Sequence, residues 1–495
     1  MGAFFATSAF AADSQKIIDV KTVQGWITQK HANWRAKESW VSRLPKEDIQ
    51  RMLGLQKPPQ GTLDFSGVRK NAVEGGLDWR NVNGVNWLAP VMNQGNCGSC
   101  VAFSTVATLE ARTSIAYGMP NLRASFSPQA LFACGGGGCE TGWYPDDAAK
   151  YLQTTGIPDE ACMPYTSGST GNDASCGQKC GDADARSLKI AGYTQPTSYG
   201  GSPEAVKEAL KKGPLATTLT VYADFVTYGG GVYKHVGGAY LGGHAVSLVG
   251  YDDAKGAWLI RNSWGAEWGD NGFAWMSYDD TSGIASDTWA YDIAGNADVL
   301  AVSAPLNREY VSGKYQLTAQ GGGAKAQDVQ FHLKDADGRE AGAVACRAAA
   351  QGCVAELDTT TLKQGRYEIV AQSVASPSVK SQVREFYVLN SEPQLSLAMT
   401  PDGDLSQPIN GRPTFQITAK SAFVPMQHVE FRAIDSNGKI AAIKSNDYVL
   451  EQMKMGWRTM TVTPGQYTIL FHGETKYNGK VYAVDSNSYT VTVKQ

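Results

Sequence analysis

The rhythm of apolar and polar positions changes three times along the chain. Residues 13 to 76 are charged, with Val20, Val23, Ile27 and Trp34 spaced to share one helical face. A second short helix is expected in LPKEDIQRMLGL. These stretches hold too little apolar surface for a core of their own, so they must pack on something else. From Leu77 to about Asp298 helical signals come first. SCVAFSTVATLEARTSIAYG places Val106, Leu109 and Ile115 on one face. Strand-like runs follow, among them HAVSLVGY and AWLIRNSW. Helices before strands predict an α+β domain over 77–298.

From residue 299 onward short alternating strands dominate, and the pattern repeats. YQLTA at Tyr315 returns as FQITA at Phe415, VQFHLKDADGR at Val329 as VEFRAIDSNGK at Val429, and GRYEI at Gly365 as GQYTI at Gly465. The offset is 100 positions each time (415 − 315, 429 − 329, 465 − 365). Units of about 100 residues with D-x-x-G turns predict two tandem all-β sandwiches, immunoglobulin-like in size, over 299–391 and 392–495. The D-A-D-G at Asp335 reads as a hairpin turn rather than a calcium loop. Its repeat copy carries Ser and Asn at the corresponding places, and no metal is expected.

Composition narrows the setting. The chain has 495 residues, too many for one core, and a formal net charge of −3. Nucleic acid and anionic membrane surfaces are therefore not expected as partners. No apolar run is long enough to span a bilayer. Ala3 to Ala11 resembles the end of a secretory signal, cut after Ala11, so the chain is expected to be secreted (extracellular, or periplasmic in a bacterium). Ala6 stands where myristoylation needs Ser or Thr. The nine cysteines are at 97, 100, 134, 139, 162, 176, 180, 346 and 353. An odd number in an exported chain suggests pairs plus one free thiol.

QGNCGSCVAF, residues 94–103, is compatible with a disulfide, a metal site or a reacting thiol. A thiol attacks carbonyls as thiolate, and activation needs a base, a helix N-terminus, or both. Cys100 falls in the first turn of the predicted helix, where free N–H groups favour an anion, while Cys97 lies in the turn before it. Of the six histidines, His235 and His244 lie in the same region as the thiol; His244, at a strand entry behind two glycines, is the preferred base. Asn262 can hold the imidazole through its amide oxygen, with Trp264 covering that bond. The Cys100 backbone N–H and the Gln94 amide can stabilise an oxyanion.

QGNCGSC, GGHAV and NSWG together resemble the papain-like cysteine peptidases. The resemblance spans about residues 77–298 and implies a two-lobed α+β catalytic domain. It implies Cys100 as nucleophile, His244 as its partner and general acid, Asn262 as orienter and Gln94 as oxyanion donor. On the substrate-binding side it implies Gly142 as a backbone pairing site and Trp264 as the shielding indole. One departure is Val101, where the family usually places an aromatic. GVYKHVGGAYLGGHAV, ACMPY and CGQKC are most similar to the cathepsin B subgroup. That subgroup's occluding insertion carries paired histidines. Here 13 residues separate Cys162 from Cys176, with no His among them, so an open cleft and an endopeptidase are expected. Family pairing implies disulfides Cys97–Cys139, Cys134–Cys176 and Cys162–Cys180. Cys346 and Cys353 are close enough to staple a hairpin in the first repeat. Cys100 is then free, no cysteine is left for a metal site, and no cofactor is expected.

The resemblance also implies that residues 12–76 are a propeptide inhibiting in cis, with PPQGTLDFSG running extended across the cleft. Cleavage is expected near Gly75–Leu77. The S2 floor is expected from GIASDTWAY, residues 283–291. The tandem sandwiches hold no catalytic constellation; they read as a module for a cell-surface, matrix or glycan target, or as a spacer. Two other functions compete with a secreted thiol endopeptidase: a papain-fold acyltransferase and a catalytically silent adhesin.

Overall fold

Asp19 caps the first helix, α1 (Val20–Gln29), accepting from the Thr22 N–H at 3.2 Å, and Val23 and Ile27 are its buried face. The computed structural model describes residues 17–294 and 300–494, apart from 58, 60, 65–74, 121, 123, 308, 322–327, 350–351, 378, 422–425, 447–448, 450–451, 460–461 and 478–479. The signal-like residues 1–11 and the proposed boundary at 298–299 lie outside them. Trp34 is not on the α1 face. The helix stops at Lys30, His31 takes a left-handed φ of 52°, and Trp34 enters a strand, β1 (Trp34–Ala36). The second leader helix, α2, spans Lys46–Met52.

Beyond the leader come β2 (Gly76–Asp78), α3 (Cys100–Ala116), α4 (Pro128–Gly135), α5 (Pro145–Thr154), α6 (Ser167–Thr170) and α7 (Ala183–Arg186). Then follow β3 (Gly192–Thr197), α8 (Pro203–Leu210), β4 (Leu215–Tyr222), β5 (Tyr228–Tyr233), β6 (Tyr240–Asp252), β7 (Ala257–Arg261), β8 (Phe273–Ser277) and β9 (Thr288–Asp292). The strands form one nine-stranded sheet in the order β1-β5-β8-β7-β6-β4-β9-β3, with β2 paired to β6. The leader thus contributes an edge strand, with Trp34 opposite Gly231. Its buried Val23, Ile27, Trp34, Val41, Ile49 and Met52 join the same apolar cluster as Leu219, Val246 and Trp258 of the sheet. The leader has no separate core.

Helix α3 lies along β6 through a buried polar seam. Ser104 Oγ donates to the Val246 carbonyl at 2.6 Å, and Thr108 Oγ1 meets Ser247 Oγ at 2.8 Å. Each bond satisfies groups that would otherwise be buried unpaired. This seam fixes the first residue of α3 beside the entry of β6, and hence Cys100 beside His244.

Residues 300–494 hold two β-sandwiches. The first pairs a four-stranded with a five-stranded sheet over Leu317, Phe331, Ile369 and Phe386. The second pairs a three-stranded with a five-stranded sheet over Phe415, Phe431, Trp457 and Phe471. Asp335 closes a hairpin, accepting from the Gly338 N–H at 2.9 Å and joining the strands Val329–Asp335 and Glu340–Ala345. Among the described residues no group of His, Cys, Asp or Glu has metal-site geometry. No helix among them is long and apolar enough to cross a membrane.

Candidate active site

Cys100 is the first residue of α3, and the preceding Ser99 makes no side-chain cap. Its hydroxyl instead meets Tyr165 Oη at 2.6 Å, and Tyr165 Oη donates to the Gln94 carbonyl at 2.8 Å. The N-terminal end of α3 is therefore left facing the sulfur. The turn before it is locked by the Cys97–Cys139 disulfide. Cys134–Cys176, Cys162–Cys180 and Cys346–Cys353 are bonded as well, and Cys100 is a free, buried thiol.

His244 lies on β6 and is fully buried, with Nε2 2.8 Å from Asn262 Oδ1. The Asn262 side chain is fixed in turn, since the same oxygen accepts the Ser263 N–H at 2.8 Å. The other ring nitrogen, Nδ1, is buried and has no hydrogen-bond partner. The Trp264 ring lies 4.9 Å from the imidazole, centroid to centroid, and is itself fully buried. It backs the imidazole rather than lining an open surface. The backbone of Ala245, one residue past His244, lies by the Cys100 sulfur and favours its anion.

Gln94 is fully buried, and its Nε2 donates to the Cys97 carbonyl at 2.9 Å and to the Met52 carbonyl at 2.8 Å. Its Oε1 accepts the Ser263 hydroxyl at 2.6 Å, which settles the amide's orientation. Met52 ends α2 of the leader, so a leader carbonyl occupies this donor. The next residues cross the site. The Gly54 backbone lies by the sulfur of Cys100 and favours its anion. The Trp143 N–H donates to the Gly54 carbonyl at 2.7 Å, the Gln56 N–H to the Trp143 carbonyl at 3.3 Å, and the Leu55 N–H to the Gly243 carbonyl at 3.3 Å. Leu55 bridges Trp143 in parallel and Gly243 in antiparallel sense.

The segment over the thiol is therefore Met52–Gln56, not PPQGTLDFSG. A Cβ at Gly54 would overlap the Gly98 backbone, and one at Gly142 would overlap the Gly54 carbonyl, so only glycines let the chains approach this closely. The described part of the later segment does not cross the thiol: Pro59 lies against Gly283, the start of the segment expected to floor S2, and Leu63 bridges Gly201. The Leu-Gly-Leu at 53–55 was the available sequence signal for the crossing. His235 is not at the thiol; its Nδ1 lies 3.0 Å from Asp224 Oδ1 and its ring stacks on Tyr222 at 4.0 Å.

Burial dominates the electrostatics. It pushes the Cys100 thiol up to about 11, against the opposing backbone hydrogen bonds, and pulls His244 down to about 4, against the Asn262 contact. With the leader in place burial favours the neutral form of both groups.

The sequence profile described as "Papain family cysteine protease" matches residues 74–291. Cathepsin B-like CP3 of Giardia intestinalis is 43% identical over 281 residues, which are 54% of this chain and 90% of that protein. Cathepsin B-like CP2 of the same organism is 38% identical over 285 residues, with the same two coverages of 54% and 90%. The solved structure of procathepsin B S9 from Trypanosoma congolense overlays with a TM-score of 0.47 at 23% identity, covering 57% of this chain and all of that one. Nearly the full length of close relatives is thus matched by the part of this chain that carries the buried thiol, imidazole and amide, and the chain belongs to the papain family of cysteine proteases, with cathepsin B-like proteins as its relatives.

Proposed function

We propose that the chain is the zymogen of a secreted thiol endopeptidase. Residues 12–76 are its cis inhibitor, 77–298 its catalytic domain, and 299–391 and 392–495 two accessory β-domains. Cys100 is the nucleophile, His244 the proton carrier, Asn262 its orienter, and Gln94 with the Cys100 N–H the oxyanion donors. The observation that carries this reading is the leader carbonyl of Met52 on Gln94 Nε2, with Gly54 on the sulfur. A leader carbonyl thus already occupies the amide donor that would stabilise an oxyanion.

With the leader gone, the thiolate attacks the scissile carbonyl and Gln94 stabilises the resulting oxyanion. Imidazolium His244 then protonates the leaving amine, and a thioester to Cys100 remains. Water, deprotonated by neutral His244, releases the acid and regenerates the thiol. Gly142 pairs with the substrate backbone on the acyl side, as its neighbour Trp143 hydrogen-bonds Gly54 and Gln56 here. Endopeptidase action is supported by the short Cys162–Cys176 segment, folded into the single turn α6.

The test compares hydrolysis of an internally quenched peptide, blocked at both ends, by the full chain and by the chain cut after Gly76. The cut chain is expected to be at least about 100-fold faster, and Cys100→Ala is expected to abolish its turnover. Equal rates before and after the cut would remove the inhibitory role, and a Cys100→Ala chain that still turns over would remove the nucleophile.

A further inference from the structure

The second sandwich reaches the end of the cleft. Arg412 Nη2 donates to the Thr170 carbonyl at 2.7 Å, and Lys444 Nζ to the Ser169 carbonyl at 2.9 Å, both at α6. The α6 turn abuts the nucleophile's own loop, since the Asn96 N–H donates to the Gly168 carbonyl at 2.9 Å. Along the leader, Leu55 and Gln56 lie at Trp143, Gly54 at the sulfur, and Met52 and α2 beyond it. Helix α2 and the second sandwich thus meet on the side of the thiol away from Gly142. On the reading above, that side receives the leaving group.

A carboxylate already stands there. Asp48 of α2, buried, lies with Oδ1 3.2 Å from Arg458 Nε and 3.4 Å from Asn96 Nδ2. Arg412 forms no ion pair among the described residues, and its Nε is buried without a hydrogen-bond partner. Its neighbours include Arg51 and Arg458, and burial together with these two cations pulls its pKa down to about 10. Lys444, half-buried, is pulled down to about 7, by desolvation first and then by Arg412. The counter-charge outside the leader is Glu140, exposed, 3.8 Å from Arg458 and also paired with Arg51 of the leader. Leader removal takes Asp48 and Arg51 together. Arg458 then loses the Asp48 contact, while Arg412 and Arg458 stay opposite each other, where the Trp457 N–H donates to the Pro413 carbonyl at 3.0 Å and the Thr459 N–H to the Gly411 carbonyl at 2.9 Å.

We propose that Arg412 and Arg458 of the second sandwich form a carboxylate-binding subsite on the leaving-group side of the scissile bond, filled in the zymogen by Asp48. This rests on the peptidase reading. The subsite selects substrates carrying a carboxylate a short distance beyond the cleaved bond. That carboxylate is either an acidic side chain or the chain's own C-terminus. Guanidinium pairs suit this task because their planar forks bind carboxylates through two charge-assisted bonds. A C-terminal module would thereby set the specificity of a catalytic centre built more than 100 residues earlier in the sequence.

The experiment uses the full chain activated by limited proteolysis of the leader, with both sandwiches retained. One arm compares amidated quenched peptides carrying Glu or Gln at each of the first three positions after the cleaved bond. The other compares peptides ending there in a free or an amidated C-terminus. The unsubstituted enzyme is expected to favour the carboxylate partner in at least one arm by about 10-fold in kcat/KM, the scale of a charge-assisted contact. Arg412→Gln and Arg458→Gln, made separately, are each expected to reduce that preference several-fold while leaving the Gln and amidated peptides unchanged. Those unchanged rates also report folding. The arm showing the preference identifies the source of the carboxylate. No preference in the unsubstituted enzyme, or a preference that survives both substitutions, overturns the subsite while leaving the peptidase intact. Failure to cut any peptide overturns both.

Discussion

The sulfur of Cys100 feels opposing influences. The N-terminus of α3 and nearby backbone hydrogen bonds favour its anion, while burial favours the neutral thiol and prevails, pushing it up to about 11. At neutral pH that leaves far less thiolate than the few per cent of an ordinary thiol. The direction of the pH effect follows. A raised thiol pKa postpones ionisation, so alkylation of the full chain is expected to be slow at pH 7 and to climb only toward pH 11. His244, pulled down to about 4, stays neutral above that value and offers the sulfur no positive charge. Removing the leader lets water back to both groups and moves the reactivity toward neutral pH. Every other cysteine is in a disulfide, so iodoacetamide uptake measured by mass reports Cys100 alone. Coincident pH profiles before and after leader removal would count against desolvation as a cause of latency.

At the scale of elements, the leader works because a helix end and a glycine arrive together. Helix α2 delivers the Met52 carbonyl to Gln94, and Gly54 then slips between Gly98 and Gly142. Gly54→Val is expected to lift the segment off the thiol and raise the full chain's basal peptide hydrolysis at least about 10-fold, while the chain lacking the leader has no such residue to change. An unchanged basal rate would mean that the crossing segment is not what holds the site closed. In the sequence the Leu-Gly-Leu at 53–55 is only a weak local sign of this crossing, and the extended pattern of PPQGTLDFSG points downstream instead. The fit of Gly54 depends on two other glycines, at 98 and 142, and a one-dimensional pattern does not bring the three together. By contrast, α1, α2 and α3 were readable from apolar spacing, and the thiol, imidazole and amide from short motifs, because each of those signals is local. Trp34 was misplaced for the same reason. Its spacing fits the α1 face, but the left-handed turn at His31 sends it to an edge strand beside β5.

Across the whole molecule, the 100-residue repeat made the two sandwiches visible from sequence but gave no sign of where they dock. Docking depends on single side chains meeting carbonyls hundreds of positions away. The first sandwich sends Arg384 to the Leu122 carbonyl and Asn307 Nδ2 to Glu160 Oε2 at 3.4 Å. Beneath this contact lies Glu110 of α3, whose carboxyl burial pushes up to about 7, opposed by Arg261, by the Phe126 N–H and by Arg384. A carboxyl whose folded pKa exceeds its unfolded value gives full stability below the unfolded value, near 4.5, and loses it as pH rises through about 7. Arg384 moderates that loss by favouring the ionised form. Arg384→Leu therefore removes a hydrogen bond at every pH and the charge support only where Glu110 is ionised. The expected cost is about 1–3 kcal/mol, larger at pH 8 than at pH 5. Hydrogen exchange of the backbone around Glu110 and Leu122, compared between the two pH values, measures it locally and needs no assumption that the several domains unfold together. Equal deficits at both pH values would show that Arg384 acts as a tether alone, and the first sandwich would then be mechanically attached to α3 without sharing its charge balance.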